Sequence, residues 1–246
     1  MGRDNLKEMK NWTLKDFEEE LRRSEEKNKS ISLEQDDALV RKARFMEARN
    51  TYERISEVER EQSFFKFRNF VGLNEKFTFF WITRSPFSQW FKCNFTTNFI
   101  NIKEPKNSID NANHCFTSAE QYMMYSKAML FLDRDIASKI LKTNDVKKIK
   151  RLGREVKFFE EVVWEFNRVK IIYEGNKAKF TQNEDLKKEL FSTKGTTLVE
   201  AAPNDNIWGI GLAEDDHRSR MRKTWLGKNL LGEILTQLRF DLMGEY

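Results

Sequence analysis

The sequence predicts a mainly α-helical, α+β domain with a small β element, preceded by a charged helical arm. Three observations carry this. Apolar residues recur at helical spacing through the second half, as in Val163, Phe166, Val169 and Ile172, and in Leu231, Ile234, Leu235, Leu238 and Leu242. Strand-like composition is confined to an aromatic stretch between Phe64 and Phe99 near the front of the core. Residues 1–65 are nearly half charged, with the signs interleaved and no proline, and no glycine after Gly2.

The arm, residues 1–65, reads as helix over Asp16–Lys27 and Glu34–Glu61, with Glu and Arg at i,i+4 spacing. Its apolar positions (Leu33, Leu39, Val40, Phe45, Ile55, Val58) keep no sustained heptad. A solvated or partly disordered arm is one reading, and an oligomerisation helix the other. Residues 66–246 form the expected main domain. Phe77–Ile82 reads as a buried strand, broken by a turn at Pro86, and Phe91–Ile102 as a second strand or hairpin before a polar loop over Glu104–Asn113. Thr117-Ser-Ala-Glu120 has the form of a capping box and starts a helix to about Phe131. Asn144 or Asp145 starts another, ending near Gly153. Val156–Phe180 carries a long helical pattern interrupted by Gly175. Asp185–Phe191 is a short helix, Thr193–Thr197 a loop, and Lys228–Met243 the last helix, entered from Gly227.

Composition excludes several functions. Charged residues are 34% and mean hydropathy is −0.72, with no apolar run near the roughly 20 residues of a membrane span. The N-terminus has no apolar signal core, so the cytosol or nucleus and reduced thiols are expected for Cys93 and Cys115. With only His114 and His217, no metal-ligand spacing is present, and no histidine-based nucleophile motif. Catalysis would rest on carboxylates, Lys or Tyr. The net charge is +5; the arm has 14 basic and 16 acidic residues, which leaves +7 on residues 66–246. An anionic partner fits that surplus.

Ala201–Gly211 is a shaped loop. Pro203 blocks helix continuation, and Gly209 and Gly211 permit turns and close backbone approach. It sets Asp205 three residues before Trp208, a carboxylate near a flat ring, which suits a ligand with a sugar and a base; a tight turn with a packed Trp is the alternative. On the helix from Thr117, Glu120, Met124 and Lys127 share a face. Glu120 is either a cap or a catalyst, and Lys127 either a surface ion-pair partner or a site residue. Tyr122 lies off that face, where ordinary core packing is the alternative reading. Arg154 suits phosphate, or belongs to a solvated charge run. Trp164 stacks on a ligand or packs in the core. The helix start after Trp225-Leu-Gly-Lys-Asn229 receives an anion, or is a simple turn and cap.

These residues occur in a recognisable order. Ser85-Pro-Phe-Ser-Gln-Trp90 is followed by Phe116-Thr-Ser-Ala-Glu-Gln-Tyr-Met-Met124 with Lys127-Ala128, then Leu152-Gly-Arg154 and Trp164. Lys179-Phe-Thr-Gln-Asn183, Leu198-Val-Glu-Ala-Ala-Pro-Asn-Asp-Asn-Ile-Trp-Gly-Ile-Gly211 and Trp225-Leu-Gly-Lys-Asn-Leu-Leu-Gly232 complete it. The chain strongly resembles the NADAR (YbiA-like) family over about residues 77–243, with the arm uncovered. Many members carry His where Gln121 stands and Asn where Gln89 stands; both differences match a eukaryotic-type subgroup.

The resemblance implies a compact YbiA-like helical fold and cleavage of N-glycosidic bonds between a base and a ribose, with no metal and no cofactor. It implies two substrate classes: phosphoribosyl intermediates of riboflavin biosynthesis, and ADP-ribose on guanine in DNA or RNA. A non-catalytic module that binds ADP-ribose or NAD is the alternative. Cleaving C1′–N builds positive charge on the ribose, which a carboxylate stabilises. Glu120 and Asp205 are the candidates: one would hold ribose hydroxyls or polarise water, the other protonate the base. Lys127 would grip phosphate or attack C1′ as a neutral amine. Trp208 would stack on the base or flank the sugar, and Arg154 and Lys228 would hold phosphate. Ser85, Trp90, Tyr122, Trp164, Gly209 and Asn229 are carried as substrate-binding positions.

Overall fold

The computed structural model describes residues 14–54, 64–70, 74–99 and 112–244. Parts of three expectations lie outside them: the arm helix beyond 54, the second strand beyond 99, and the polar loop over 104–111. The chain divides into two compact units, Met1–Arg44 and Phe45–Tyr246. The described part of the first is helix α1 (Leu14–Arg54) up to Arg44; its last turns belong to the second. The expected break after Lys27 is absent. Asn28, Ser30 and Ser32 each cost a helix only tenths of a kcal/mol, and the stretch has no Pro or Gly to stop it.

The second unit is built on α2 (Ala119–Leu130), which is buried at every position except half-buried Lys127. Around it pack α3 (Arg134–Leu141), α4 (Val146–Arg154) and α5 (Glu161–Thr181). Helix α3 escaped the sequence reading because its eight residues sit between two stronger patterns; Asp133 caps it by accepting from the Ile136 N–H at 3.1 Å. Helix α5 runs straight through Gly175. A Cβ there would lie 2.3 Å from the Tyr122 ring, so the glycine marks a close helix crossing and not a break.

The β element is two small sheets. Strand β1 (Phe77–Phe80) pairs in parallel with β4 (Thr197–Glu200), Phe77 opposite Thr197 and Phe80 opposite Glu200. Strand β2 (Phe95–Thr97) pairs antiparallel with β3 (His114–Phe116). Strand β1 stops two residues short of the expected Ile82: Trp81 and Ile82 are exposed, and Ile82 has φ 66°, in the left-handed region where a β-branched residue cannot continue a strand. Thr197, expected to end a loop, and residues 198–200, expected in no element, form β4, because Leu198 and Val199 are fully buried beneath the last helix. Helix α6 (Glu184–Ser192) and helix α7 (Leu230–Met243) complete the core, α7 lying against β4 and α5. The fold is mainly α with a small β element, as the sequence predicts.

Candidate active site

Helices α2 and α4, the turn at residues 88–90 and the segment 200–208 enclose a cavity of about 240 Å³. Three carboxylates line it, Glu120, Glu200 and Asp205. Facing them are three cations, Lys127, Lys150 and Arg154, and three indoles, Trp90, Trp164 and Trp208.

Glu120 does not cap its helix. The N-cap is Ser118, whose Oγ accepts from the Gln121 N–H at 3.2 Å, and Gln121 reaches back to accept from the Thr117 N–H at 2.8 Å. The capping box therefore starts one residue later than Thr117. Gln121 also donates to the carbonyls of Ile140 and Thr143, so its amide is fully occupied. This frees Glu120, whose backbone N–H is held by the Gln89 carbonyl at 2.8 Å and whose carboxyl lines the cavity. Glu120 is 3% exposed, and its Oε1 has no hydrogen-bond partner. An unmet buried polar atom costs about 1–3 kcal/mol, a cost that a ligand removes. Burial pushes the Glu120 carboxyl up to about 7, and Asp205 adds to this, while Lys150, the Trp90 indole and Arg154 oppose it.

Lys127, two turns on, donates to the Gly153 carbonyl at 3.0 Å and lies 4.2 Å from the Phe159 ring centre. Burial holds its amine below the ordinary lysine range, with Glu161 opposing. Gly153 allows this approach: a Cβ there would overlap the Met124 side chain. Lys150 lies 5.5 Å from the Trp90 ring centre.

The loop after β4 is held by its own polar groups. Asp205 Oδ1 accepts from the N–H groups of Ile207 and Trp208 at 3.0 and 2.8 Å, which turns the Trp208 ring into the cavity. The carbonyls of Asn206, Ile207, Trp208 and Gly209 accept from the N–H groups of Lys228, Leu230, Leu231 and Asn229. Of the two readings of the α7 start, these bonds support the turn and cap over the anion site, since the N–H groups from Lys228 to Leu231 are taken by the loop.

Of the expected site residues, Trp90, Glu120, Lys127, Arg154, Trp164, Asp205 and Trp208 line the cavity. Five others do not. Ser85 closes the turn at Pro86, its Oγ accepting from the Phe87 N–H at 3.3 Å. Tyr122 is a core ring, edge-on to Phe116 at 5.2 Å. Gly209 is packed against the Glu200 carbonyl and Ala202, where a Cβ would clash. Lys228 is exposed away from the cavity lining. Asn229, left-handed at φ 56°, donates to the Leu198 carbonyl and accepts from the Glu200 N–H, each at 2.9 Å, so it splices α7 to β4.

Sequence reasoning missed Glu200, Lys150 and Gln89. Glu200 ends a strand whose parallel partner lies far away in the chain, so no local signal marked it. For Lys150, the i,i+4 spacing to Arg154 was a signal. Lys179, in the stretch Lys179-Phe-Thr-Gln-Asn183, is fully buried; it donates to the carbonyls of Pro86 and Ser88 at 2.6 and 3.0 Å and fixes the turn that presents Trp90. Among the described residues, no group of three His, Cys, Asp or Glu side chains is arranged to hold a metal ion, and no helix is long and apolar enough to cross a membrane.

The chain is 44% identical over 153 residues to N-glycosidase R617 of Acanthamoeba polyphaga mimivirus, covering 62% of this chain and 85% of that protein. It is 35% identical over 115 residues to the riboflavin biosynthesis protein PYRR, chloroplastic, of Zea mays, covering 45% of this chain and 17% of that one. The NMR structure of the E. coli protein YbiA superposes with a TM-score of 0.52 at 22% identity, over 71% of this chain and 89% of the other. The NADAR domain model matches residues 79–243, so the chain belongs to the NADAR domain family.

Proposed function

We propose that the protein is an N-glycosidase that cleaves the bond between a base and C1′ of a phosphorylated ribose. The buried Glu120 carboxyl carries this reading, with an unpartnered oxygen in a cavity that also holds three cations and three indoles. The cations suit phosphate, the indoles suit the flat base, and the carboxylates suit the positive charge that develops at C1′. Lys127, half-buried beside the Phe159 and Trp164 rings, is read as an amine able to attack C1′. The name N-glycosidase, printed for the mimivirus relative, supports the reaction class. The name of the maize relative, a riboflavin biosynthesis protein, supports a substrate from that pathway; the family resemblance supports a phosphoribosyl intermediate of it, and also ADP-ribose on guanine in DNA or RNA.

The test is incubation of the full chain with a ribosylaminopyrimidine phosphate and, separately, with DNA carrying ADP-ribosylated guanosine, with products read by mass spectrometry. Release of free base from one of them is expected. Tight binding of ADP-ribose with no base released from either substrate would make the protein a binding module.

A further inference from the structure

We infer that Glu200 is the proton donor to the leaving base. This inference rests on the N-glycosidase reading above and adds a residue and a role to it.

Glu200 is held through its main chain. It is the last residue of β4, and its main chain is fixed on both sides: its N–H donates to Asn229 Oδ1 at 2.9 Å, and its carbonyl accepts from the Ile210 and Ala202 N–H groups at 2.9 and 3.0 Å. The side chain has no such anchors. It lines the cavity, and its Oε2 is removed from solvent without a hydrogen-bond partner. A carboxyl oxygen that meets nothing in the protein is matched by whatever fills the cavity.

Three carboxyls share this space, and their surroundings divide the roles. Asp205 accepts from two backbone N–H groups through one oxygen, so that oxygen is committed to holding its own loop. Glu120 faces Lys150, Arg154 and the Trp90 indole, which favour its anion, although burial and Asp205 work against them. Glu200 faces Asp205 from the loop and Glu120 from α2; of the cations only Lys150, from α4, acts on it noticeably, and more weakly than the two carboxylates. Glu200 therefore has the strongest reason to keep its proton near neutral pH. Burial, Asp205 and Glu120 together push its carboxyl up to about 8.

The step balances. The C1′–N bond pair moves to the base nitrogen, which takes the Glu200 proton. C1′ accepts a lone pair from the attacking amine or water, and the surplus proton passes to the Glu120 carboxylate. One water is consumed in the full cycle, free base and ribosyl product leave, and the two carboxyls exchange the proton back across the shared cavity.

The experiment is kcat/KM against pH for the wild type, Glu200→Gln and Glu120→Gln, with the ribosylaminopyrimidine phosphate and the ADP-ribosylated DNA as probes and folding checked by thermal melting. The wild-type rate should fall on the alkaline side with a midpoint near pH 8. In Glu200→Gln the rate should drop by about 100-fold or more and the alkaline fall should vanish. Glu120→Gln, residual rate permitting, should keep that fall but move it to lower pH, since one neighbouring negative charge is gone. An alkaline fall that persists in Glu200→Gln, or a near-normal rate in it, overturns the proposal. If Glu200→Gln does not fold, titration of the glutamate carboxyl carbons of folded wild type and Glu120→Gln by NMR decides. A carboxyl that stays protonated past neutrality and titrates earlier in Glu120→Gln supports the proposal; its absence from the wild type overturns it. A wild type that releases no base from either probe overturns the N-glycosidase reading, and this inference with it.

Discussion

At Glu120 the helix start, a buried cavity wall and nearby cations all act on one carboxyl. Ser118 and its partner Gln121 do the capping, which separates two roles that the sequence places together in Thr117-Ser-Ala-Glu120. Gln121→Ala removes an acceptor for Thr117 and a donor to two carbonyls. It should lower stability by about 1–3 kcal/mol in thermal or urea melts while the folded protein keeps its turnover. Glu120→Gln should melt no lower than wild type above pH 7, because it no longer buries a charge. Lys127 gives the other residue-scale prediction. Borohydride added during turnover should leave a ribose-derived adduct on Lys127, and Lys127→Arg should abolish turnover despite keeping the charge. Retained turnover in Lys127→Arg with no adduct would make Lys127 an electrostatic residue.

At the scale of elements, the segment 200–211 and the start of α7 behave as one unit. Gly227 sits where a Cβ would lie 2.3 Å from the Gly209 carbonyl oxygen and 2.7 Å from the Asn206 Cα, both of them backbone. Gly227→Ala should therefore cost about 1–3 kcal/mol and displace Trp208, so that activity falls further than the loss of folded protein explains; calorimetry and active-site titration check this. A variant as stable and active as wild type would show that the loop and α7 are not coupled. Local signals made much of this legible: Pro203, Gly209 and Gly211 announce a shaped loop, and Asp205 and Trp208 are found where that loop sends them. The joining of the loop to α7 was not legible, because it runs through backbone bonds between residues about twenty apart. The same holds for β4. Its partner β1 lies more than a hundred residues away, and nothing local in Thr197–Glu200 reports a parallel neighbour. Long helices were placed by their repeating pattern, although α1 was split after Lys27 and α5 interrupted at Gly175; α3, only eight residues long, was missed.

Over the whole molecule, the site shapes stability as well as chemistry. Burial raises the carboxyls of Glu120 to about 7 and of Glu200 to about 8, from 4.5. Between about pH 4.5 and 8 the folded chain thus binds more protons at these groups than the unfolded chain, so they make stability fall as pH rises through that window. Lys179 acts in the opposite sense: burial lowers it from 10.5 to about 8, the unfolded chain binds more protons between those values, and stability rises with pH there. Melting temperature should therefore decline towards a minimum near pH 8, and Glu200→Gln should flatten the decline. A melting temperature that climbs steadily from pH 5 to 8, with Glu200→Gln having no effect, would contradict this balance. The cavity itself needed the whole fold to be seen. Glu120, Lys150, Asp205 and Trp90 come from four separate stretches, and composition alone could not bring them to one wall.

The most direct test of the central claim, that a buried Glu120 carboxyl drives cleavage of a base–ribose bond, is single-turnover base release by wild type and Glu120→Gln side by side. Each is incubated with the ribosylaminopyrimidine phosphate and with ADP-ribosylated guanosine DNA, and melting is measured on the same samples. The account predicts free base from the wild type with at least one substrate, and a rate lower by about 100-fold or more in a variant that is equally folded. Near-wild-type release by folded Glu120→Gln would contradict it.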